Sequence, residues 1–270
     1  MVSNMDYLDK YTKRLKRIGD NVGEAYYNNT ISFIESTFHA SPTYRMMDIE
    51  SNNPMYSHIT KMDGRVVEIE RLGTLREIIL RPTKSLEIGM YAKIDDEWFL
   101  LIDKYGGTGS TAIKMLAIKI NQQLRWYDKD DILRDFKCVA SATDLGSKSR
   151  QSKNEIEWNK YDVRLPIGQL FVSVEKNSIT ETIGLNHRFI FGRNVYEVTG
   201  IDDITTTNDE GYGIIQFTVK ITTKSSKDDF ERQIAHNDYQ VNTSESESNE
   251  ISLATSNDNK EEEDKGGRLW

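Results

Sequence analysis

Hydrophobic positions follow two different periods along this chain, and the change comes near residue 41. Before it, Leu8, Tyr11, Leu15, Ile18 and Val22 recur three or four residues apart, as one apolar stripe of an amphipathic helix does. Gly19 and the polar stretch 20–23 end or bend that helix. A second stripe, Tyr27, Ile31, Ile34 and Phe38, resumes the period as far as Ser41-Pro42, where proline disfavours a helical conformation in the residue before it. From Tyr44 onward the period is two, the signature of half-buried strands.

Asp63-Gly64 separates two alternating runs and predicts a hairpin turn. Further strands are predicted at 76–80, 91–94, 98–102 and 112–120, with Asp95-Asp96 and Gly106-Gly107 as turns. Strands at 124–127 and 136–141 are expected to close this first module. A second set follows at 163–165, 170–174, 187–191, 195–200 and 214–222. Many short strands with turns every ten residues or so predict a mainly β protein, built of barrel or sandwich modules behind an N-terminal helical segment. The expected organisation is a helical segment at 1–40, a first β-module at 41–143, and a linker or exposed loop at 144–154. A second β-module at 155–224 and an acidic tail at 225–270 complete it.

The two modules share a phrase. GMYAKIDDEWFLLID at 89–103 and NHRFIFGRNVYEVTGID at 186–202 each hold two aromatics seven positions apart around a tight polar turn. Duplication of one small module and coincidence of two hairpins both remain open. Either way Tyr91, Trp98, Phe189 and Tyr196 are expected in the β-module core or at subunit contacts.

Charge changes the picture at one end only. The chain of 270 residues carries a net −8, of which residues 237–270 hold −6, so the body is close to neutral. Beyond Lys224 apolar residues nearly vanish, and such a segment cannot bury enough surface to offset the entropy of ordering it. The expectation is a disordered tether ending in Gly-Gly-Arg-Leu-Trp, with Arg268, Leu269 and Trp270 as a docking peptide or simply an unselected end. The basic residues Lys10, Lys13, Arg14, Lys16 and Arg17 share the polar face of the first helix. They read as a solvated face, with an acidic protein surface or DNA as the alternative.

Chemistry is sparse. His39, His58, His187 and His236 stand far apart without zinc-ligand spacing and read as ordinary surface or boundary histidines. The single cysteine, Cys138, sits in an alternating strand and reads as a small buried hydrophobe, which fits a reducing compartment. The run Gly106–Ser110 lacks the Lys-Ser/Thr of a phosphate loop. Asp95-Asp96 and Asp202-Asp203 fall where turns are expected. No catalytic residue, cofactor or metal site is expected. No apolar run approaches the ~20 residues that span a bilayer, and a soluble, cytoplasmically made protein without membrane contact is anticipated.

Three stretches together resemble neck proteins of tailed bacteriophages of Gram-positive hosts. They are YLDKYTKRLKRIGDNVGEAYYNNTISFIESTF with the SPTY that follows, LRPTKSLEIGMYAKIDDEWFLLID, and LNHRFIFGRNVYEVTGIDD. The resemblance covers residues 5–222 and leaves the tail outside. It implies a structural virion protein at the head–tail junction, closer to the β-barrel head-closure (stopper) kind than to the helical adaptors. The implied partners are copies of itself in a ring, a portal or adaptor protein, a tail protein, and double-stranded DNA passing without sequence-specific contact. Neighbouring barrels would pair edges and pack aromatic faces while loops gate the channel. A podophage collar or nozzle, or a tail-tip or baseplate protein, is the nearby alternative. From another class, a single-stranded DNA-binding protein also combines a β-barrel, exposed aromatics and an acidic tail, but a nearly neutral body offers few phosphate contacts.

Overall fold

The computed structural model describes residues 10–12, 19, 21–69, 74–106, 111–142 and 165–238. The linker at 144–154, Val163 and Arg164 of the strand expected at 163–165, the tail from 239, and Leu8, Leu15 and Ile18 of the first helical stripe with its basic residues Lys13, Arg14, Lys16 and Arg17 lie outside the described residues; Leu165 is described and is in no strand.

The helix α1 (Val22–Thr37) begins where Asn21, in extended conformation, accepts the Glu24 N–H on its side chain. Val22 therefore opens this helix instead of closing an earlier one. After a short 3-10 turn at Phe38–Ala40 the chain enters β1 (Tyr44–Glu50), β2 (Lys61–Glu68), β3 (Leu75–Leu80), β4 (Tyr91–Ile94), β5 (Glu97–Tyr105) and β6 (Lys114–Lys119). These six close into a barrel in the order β1-β2-β3-β6-β5-β4, with β1 hydrogen-bonded to both β2 and β4. Met47, Ile49, Ile78, Leu80, Phe99, Leu101 and Met115 alternate inward and fill it.

Asp63-Gly64 is not a turn, a correction of the sequence expectation: both residues lie inside β2. Gly64 faces the barrel interior, where a Cβ would come within 2.9 Å of Met47 Cε and 3.0 Å of Ile78 Cγ2. The glycine makes room for large neighbours, and the reversal falls in residues 51–60 instead.

The second module is a six-stranded antiparallel sheet in the order β10-β11-β12-β9-β8-β7. Its members are β7 (Gln122–Tyr127), β8 (Leu133–Ser141), β9 (Gln169–Glu175), β10 (Arg188–Phe191), β11 (Asn194–Asp202) and β12 (Ile214–Thr222). Here the expected boundary at 143 is wrong. The strands β7 and β8, expected to close the first module, belong to the second, so the division falls at Ile120-Asn121. Asn121 fixes the crossing: its side chain accepts from Ala140 N (2.9 Å) and donates to Ala140 O (2.8 Å). The sheet curls around Leu124, Trp126, Phe136, Cys138, Val172, Val174, Phe189 and Phe217.

The modules pack face to face. Outward residues of the barrel, Leu75, Tyr91, Leu100, Ile102, Leu116 and Ile118, meet Val139 and Ile214 of the sheet. The mainly β, two-module fold with a short N-terminal helix is thus as the sequence predicts.

Residues 225–238 correct the expected tail. Phe230 and Ala235 pack on Ile190 and Val195. Arg188 Nη1 donates to His236 O (2.9 Å), and Arg188 pairs with Asp228 at 3.0 Å. Burial opposes the Asp228 charge, yet bonds from Ser225 N, His236 N and Arg188 hold its carboxyl below the usual range. The strap is held by polar pairs and two apolar contacts, a combination that hydropathy alone does not reveal.

Candidate functional site

The most elaborate polar constellation lies in the junction between barrel and sheet. Alternation along β9 sends Val172 and Val174 into the sheet interior and leaves Ser173 and Glu175 facing the barrel. The Glu175 side chain is wholly buried. It accepts from Ser51 Oγ (2.7 Å), Asn52 N (2.9 Å), Asn52 Nδ2 (2.5 Å) and Tyr212 OH (3.1 Å). Four donors from two loops thus converge on one carboxylate that has no basic partner among the described residues. Burial raises its pKa and the hydrogen bonds pull it back, leaving it above the ordinary value. Burial and the Glu175 charge push the Tyr91 and Tyr212 hydroxyls up, so both stay protonated donors.

Beside it, Tyr91 OH donates to Lys137 O (2.8 Å) and accepts from Glu175 N. Lys137 reaches from β8 to Glu50 of the barrel at 2.7 Å, with Nζ 4.2 Å above the Trp98 ring. Tyr212, from the loop before β12, joins the barrel core. This arrangement clamps the two modules together. Its consequence is testable by pH. A carboxyl raised above its unfolded pKa adds stability as pH falls through the raised value toward ~4.3, and withholds it above. Glu175→Gln, neutral and of the same shape, should therefore be at least as stable as the parent at pH 7–8. That margin should shrink as pH falls toward ~4.5. Thermal melts across this range check it; a margin independent of pH would mean that Glu175 is not the group responsible.

Of the aromatics singled out by the shared phrase, Tyr91, Phe189 and Tyr196 are buried and Trp98 is half-buried. The two units do not superpose in register. Phe189 stands directly opposite Tyr196, whereas Tyr91 faces Leu100 and Trp98 faces Lys93. The first pair serves the junction and the second the sheet interior. Asp95 and Asp96 occupy the β4–β5 turn at φ 47° and 67°, and the Asp202 carboxylate accepts from Ile204 N and Thr205 N. Both pairs perform turn chemistry.

Among the histidines, His187 departs from the expectation of an ordinary surface or boundary residue. It is buried, stacked on Phe189 at 4.6 Å and edge-on to Trp126 at 6.0 Å. Burial lowers its pKa to about 4, so it is a neutral member of the core. Cys138 is fully buried, and burial raises its thiol pKa. Among the described residues no group of three His, Cys, Asp or Glu could hold a metal ion, and no helix is long and apolar enough to cross a membrane.

Two further features stand out among the described residues. Helix α1 is fixed at its C-terminal end, where Phe38 lies between Arg65 and Arg81 at 4.8 and 4.6 Å. Arg65 also donates to Thr37 O, and Arg81 bonds Glu35 and Asp63. Ile31 and Ile34 are half-covered, and no α1 residue is buried. Val22, Tyr26 and Phe33, spaced four and seven apart on one face, are 67, 72 and 67% exposed. The second surface is the seam between β7 and β10, the two strands that end the curled sheet. Sequence reasoning missed the strap, the Glu175 clamp and this seam. Arg268, Leu269 and Trp270 lie outside the described residues.

Residues 122–220 match the YomX C-terminal domain family, which places the match on the second module. Among curated proteins none matches this chain significantly. Two solved structures of MrkH, described as a c-di-GMP-dependent transcription regulatory factor, share 10% and 9% identity with it. The first covers 84% of this chain and 91% of its own, with a TM-score of 0.20. The second, of K. pneumonia MrkH, covers 74% and 85%, with a TM-score of 0.22. At such TM-scores no property of MrkH bears on this chain.

Proposed function

We propose that this chain is a structural virion protein of a tailed phage. It would form a homo-oligomeric ring in the neck between portal and tail, closing the DNA exit channel and offering the tail an attachment surface. The resemblance of residues 5–222 to neck proteins supports this reading. So does the way both β-modules use their polar and aromatic groups for packing. The observation that carries it is the exposed stripe of α1. A 16-residue helix with no buried side chain draws little stability from its own body, and Tyr26 and Phe33, with Val22 beside them, offer a neighbour ~100 Å² or more each. The barrel is closed and has no edge to share, so the contact between neighbours runs through helix faces and not through barrel edges. In this reading the chain needs no catalytic group or cofactor, double-stranded DNA passes without base contacts, and Leu269 and Trp270 dock on a neighbouring subunit or the adjoining ring. Arg268 would pair there with an acidic group.

Tyr26→Asp with Phe33→Asp should leave the body folded, because neither side chain is buried. It should abolish rings in electron micrographs and leave phage heads that leak DNA and fail to join tails. Removal of residues 239–270 should spare the fold and weaken tail joining. A cut at 237 would also remove Asn237 and Asp238, and Asn237 holds β10. Normal heads and tails from a phage lacking the protein would overturn the reading. So would tight, salt-sensitive binding of single-stranded DNA by the purified chain.

A further inference from the structure

Three connections at one end of the curled sheet carry exposed apolar side chains. In the antiparallel order β10-β11-β12-β9-β8-β7, strands β7, β9 and β11 all finish at the same end. The connections 128–132, 176–187 and 203–213 therefore leave from that end. Tyr127, Ile132 and Leu133 belong to or border the first, Leu185 belongs to the second, and Ile201 and Ile204 border or belong to the third. All six are exposed, Leu185 by 61% and Ile204 by 80%. Two contacts bring these connections side by side. The His187 ring stands edge-on to Trp126 at 6.0 Å, which joins the second to β7. Asn186 N donates to Val198 O (2.9 Å), which joins it to β11. Apolar side chains gathered in this way, and buried by no described residue, suit a docking partner. The surroundings are acidic: the three connections hold seven acidic and two basic side chains, a net −5.

Charge and pattern select the occupant from the same chain. Residues 8–18 hold five basic and one acidic side chain, a net +4, and Leu8, Tyr11, Leu15 and Ile18 form one helical stripe with basic flanks. Residues 10–12 are helical, and Tyr11 is 54% exposed, so its ring is not taken up by its own body. The linker at 144–154 is basic too, but Leu145 is its one large apolar residue. The acidic tail, at −6 over 237–270, is repelled from an acidic surface. The basic segment also stands away from its own barrel. Gly19 packs on the first turn of α1, where a Cβ would come within 2.6 Å of Ala25 N, and residues 26–30 are all exposed. The barrel holds α1 at its opposite end, beside Phe38, about 24 Å along the helix. A neighbouring molecule is therefore the natural receiver.

We propose that residues 8–18 of one copy bind, as an amphipathic helix, across the acid-rimmed apolar end of the curled sheet of the next copy. Tyr11, Leu15 and Ile18 cover Leu133, Leu185 and Ile204. Arg14 and Lys16, which flank the stripe on opposite sides, face Asp130 and Asp203. Opposite charges steer the two surfaces together and fix their orientation. The contact joins two different surfaces, so each copy donates one segment and receives another, and repetition of the contact closes a ring when the rotation allows. The inference deepens the ring reading and rests on it, adding the segment to the α1 face as a second part of the contact between neighbours.

The test is sedimentation velocity of the full chain over a range of concentrations, where the native chain should self-associate. Tyr11→Asp with Leu15→Asp removes the donated stripe. Leu185→Asp with Ile204→Asp removes the receiving one and replaces only exposed side chains. Each double variant alone should associate at least about tenfold more weakly than the native chain. Mixed one to one, each supplies what the other lacks, so dimers should return and grow no further. Arg14→Glu with Lys16→Glu, which keeps every apolar group, should also weaken association at least about tenfold. Native association that all three variants keep, but that Tyr26→Asp with Phe33→Asp loses, overturns the proposal and leaves the ring reading standing. Weakened variants whose mixture stays monomeric, as a segment folded onto its own chain would give, overturn it as well. A native chain that is monomeric throughout overturns both readings.

Discussion

Replacing Gly89 by alanine is expected to remove about 4 kcal/mol of stability, the sum of a backbone and a packing cost. Gly89 sits just before β4 at φ +96°, a conformation side chains rarely adopt. A Cβ there would come 2.1 Å from the carbonyl oxygen of Gly213, at the start of β12. That carbonyl is already fixed by Lys176 N at 2.9 Å. Gly213 cannot retreat either, because its own Cβ position lies 2.0 Å from Thr206 O at φ +158°. Three backbone segments from two modules are stacked with no side chain between them. The methyl group would have to push the barrel from the sheet, disturbing the Glu175 clamp and the Val139–Ile214 contact together. Gly192→Ala separates the two costs. Gly192 also has positive φ, at +61°, but nothing stands within 4 Å of its Cβ position, so only the backbone term of about 1 kcal/mol applies. Urea unfolding of both variants checks the difference; equal losses would mean that the junction yields freely at Gly89.

Trp126→Ala should cost about 3–5 kcal/mol, the range for removing a fully buried large aromatic. The ring is 1% exposed and is flanked by Phe136 at 5.6 Å, His187 at 6.0 Å and Phe189 at 6.0 Å. Those aromatic contacts add to the area it buries. Trp98, which the sequence pattern singles out, is only partly buried, under Lys137, and Trp98→Ala should cost only about 2 kcal/mol. Denaturant midpoints measured at constant slope give both values. A larger loss at Trp98 would show that the junction, and not the sheet interior, dominates stability.

The unequal weight of these two tryptophans shows what local pattern conveys. Alternation identified the strands around Trp98 and Trp126, since the pleat sends every second side chain to one face whatever the partner strand is. It could not tell which face meets a tightly packed interior and which meets a partly wet junction. The seven-residue spacing of Tyr91–Trp98 and Phe189–Tyr196 looked like one motif used twice. The registers of β4–β5 and β10–β11 place the pairs differently, because register depends on where the turn falls.

The candidate surfaces were less legible still. The α1 stripe Tyr27, Ile31, Ile34 and Phe38 was readable by period, and Phe38 indeed anchors the helix. The exposure of Val22, Tyr26 and Phe33 is decided by the tertiary structure, in which no described residue buries them. Nothing in the local pattern marks Glu175, which follows the strand expected at 170–174. Its burial depends on Ser51 and Asn52, more than 120 residues earlier in the chain.

By itself the sequence determined the number and kind of most elements, the neutral body, the acidic tail and the mainly β class. These follow from local periodicity, turn residues and composition, each of which acts over a few neighbouring positions. Only the tertiary structure decided that β7 and β8 join the second sheet, that Asp63-Gly64 lies within a strand, and that residues 225–238 strap β10. It alone decided that Glu175 clamps the modules. Strand partnership and burial are set by hydrogen bonds and contacts between residues far apart in the chain, and no local period encodes which distant edge a strand will meet.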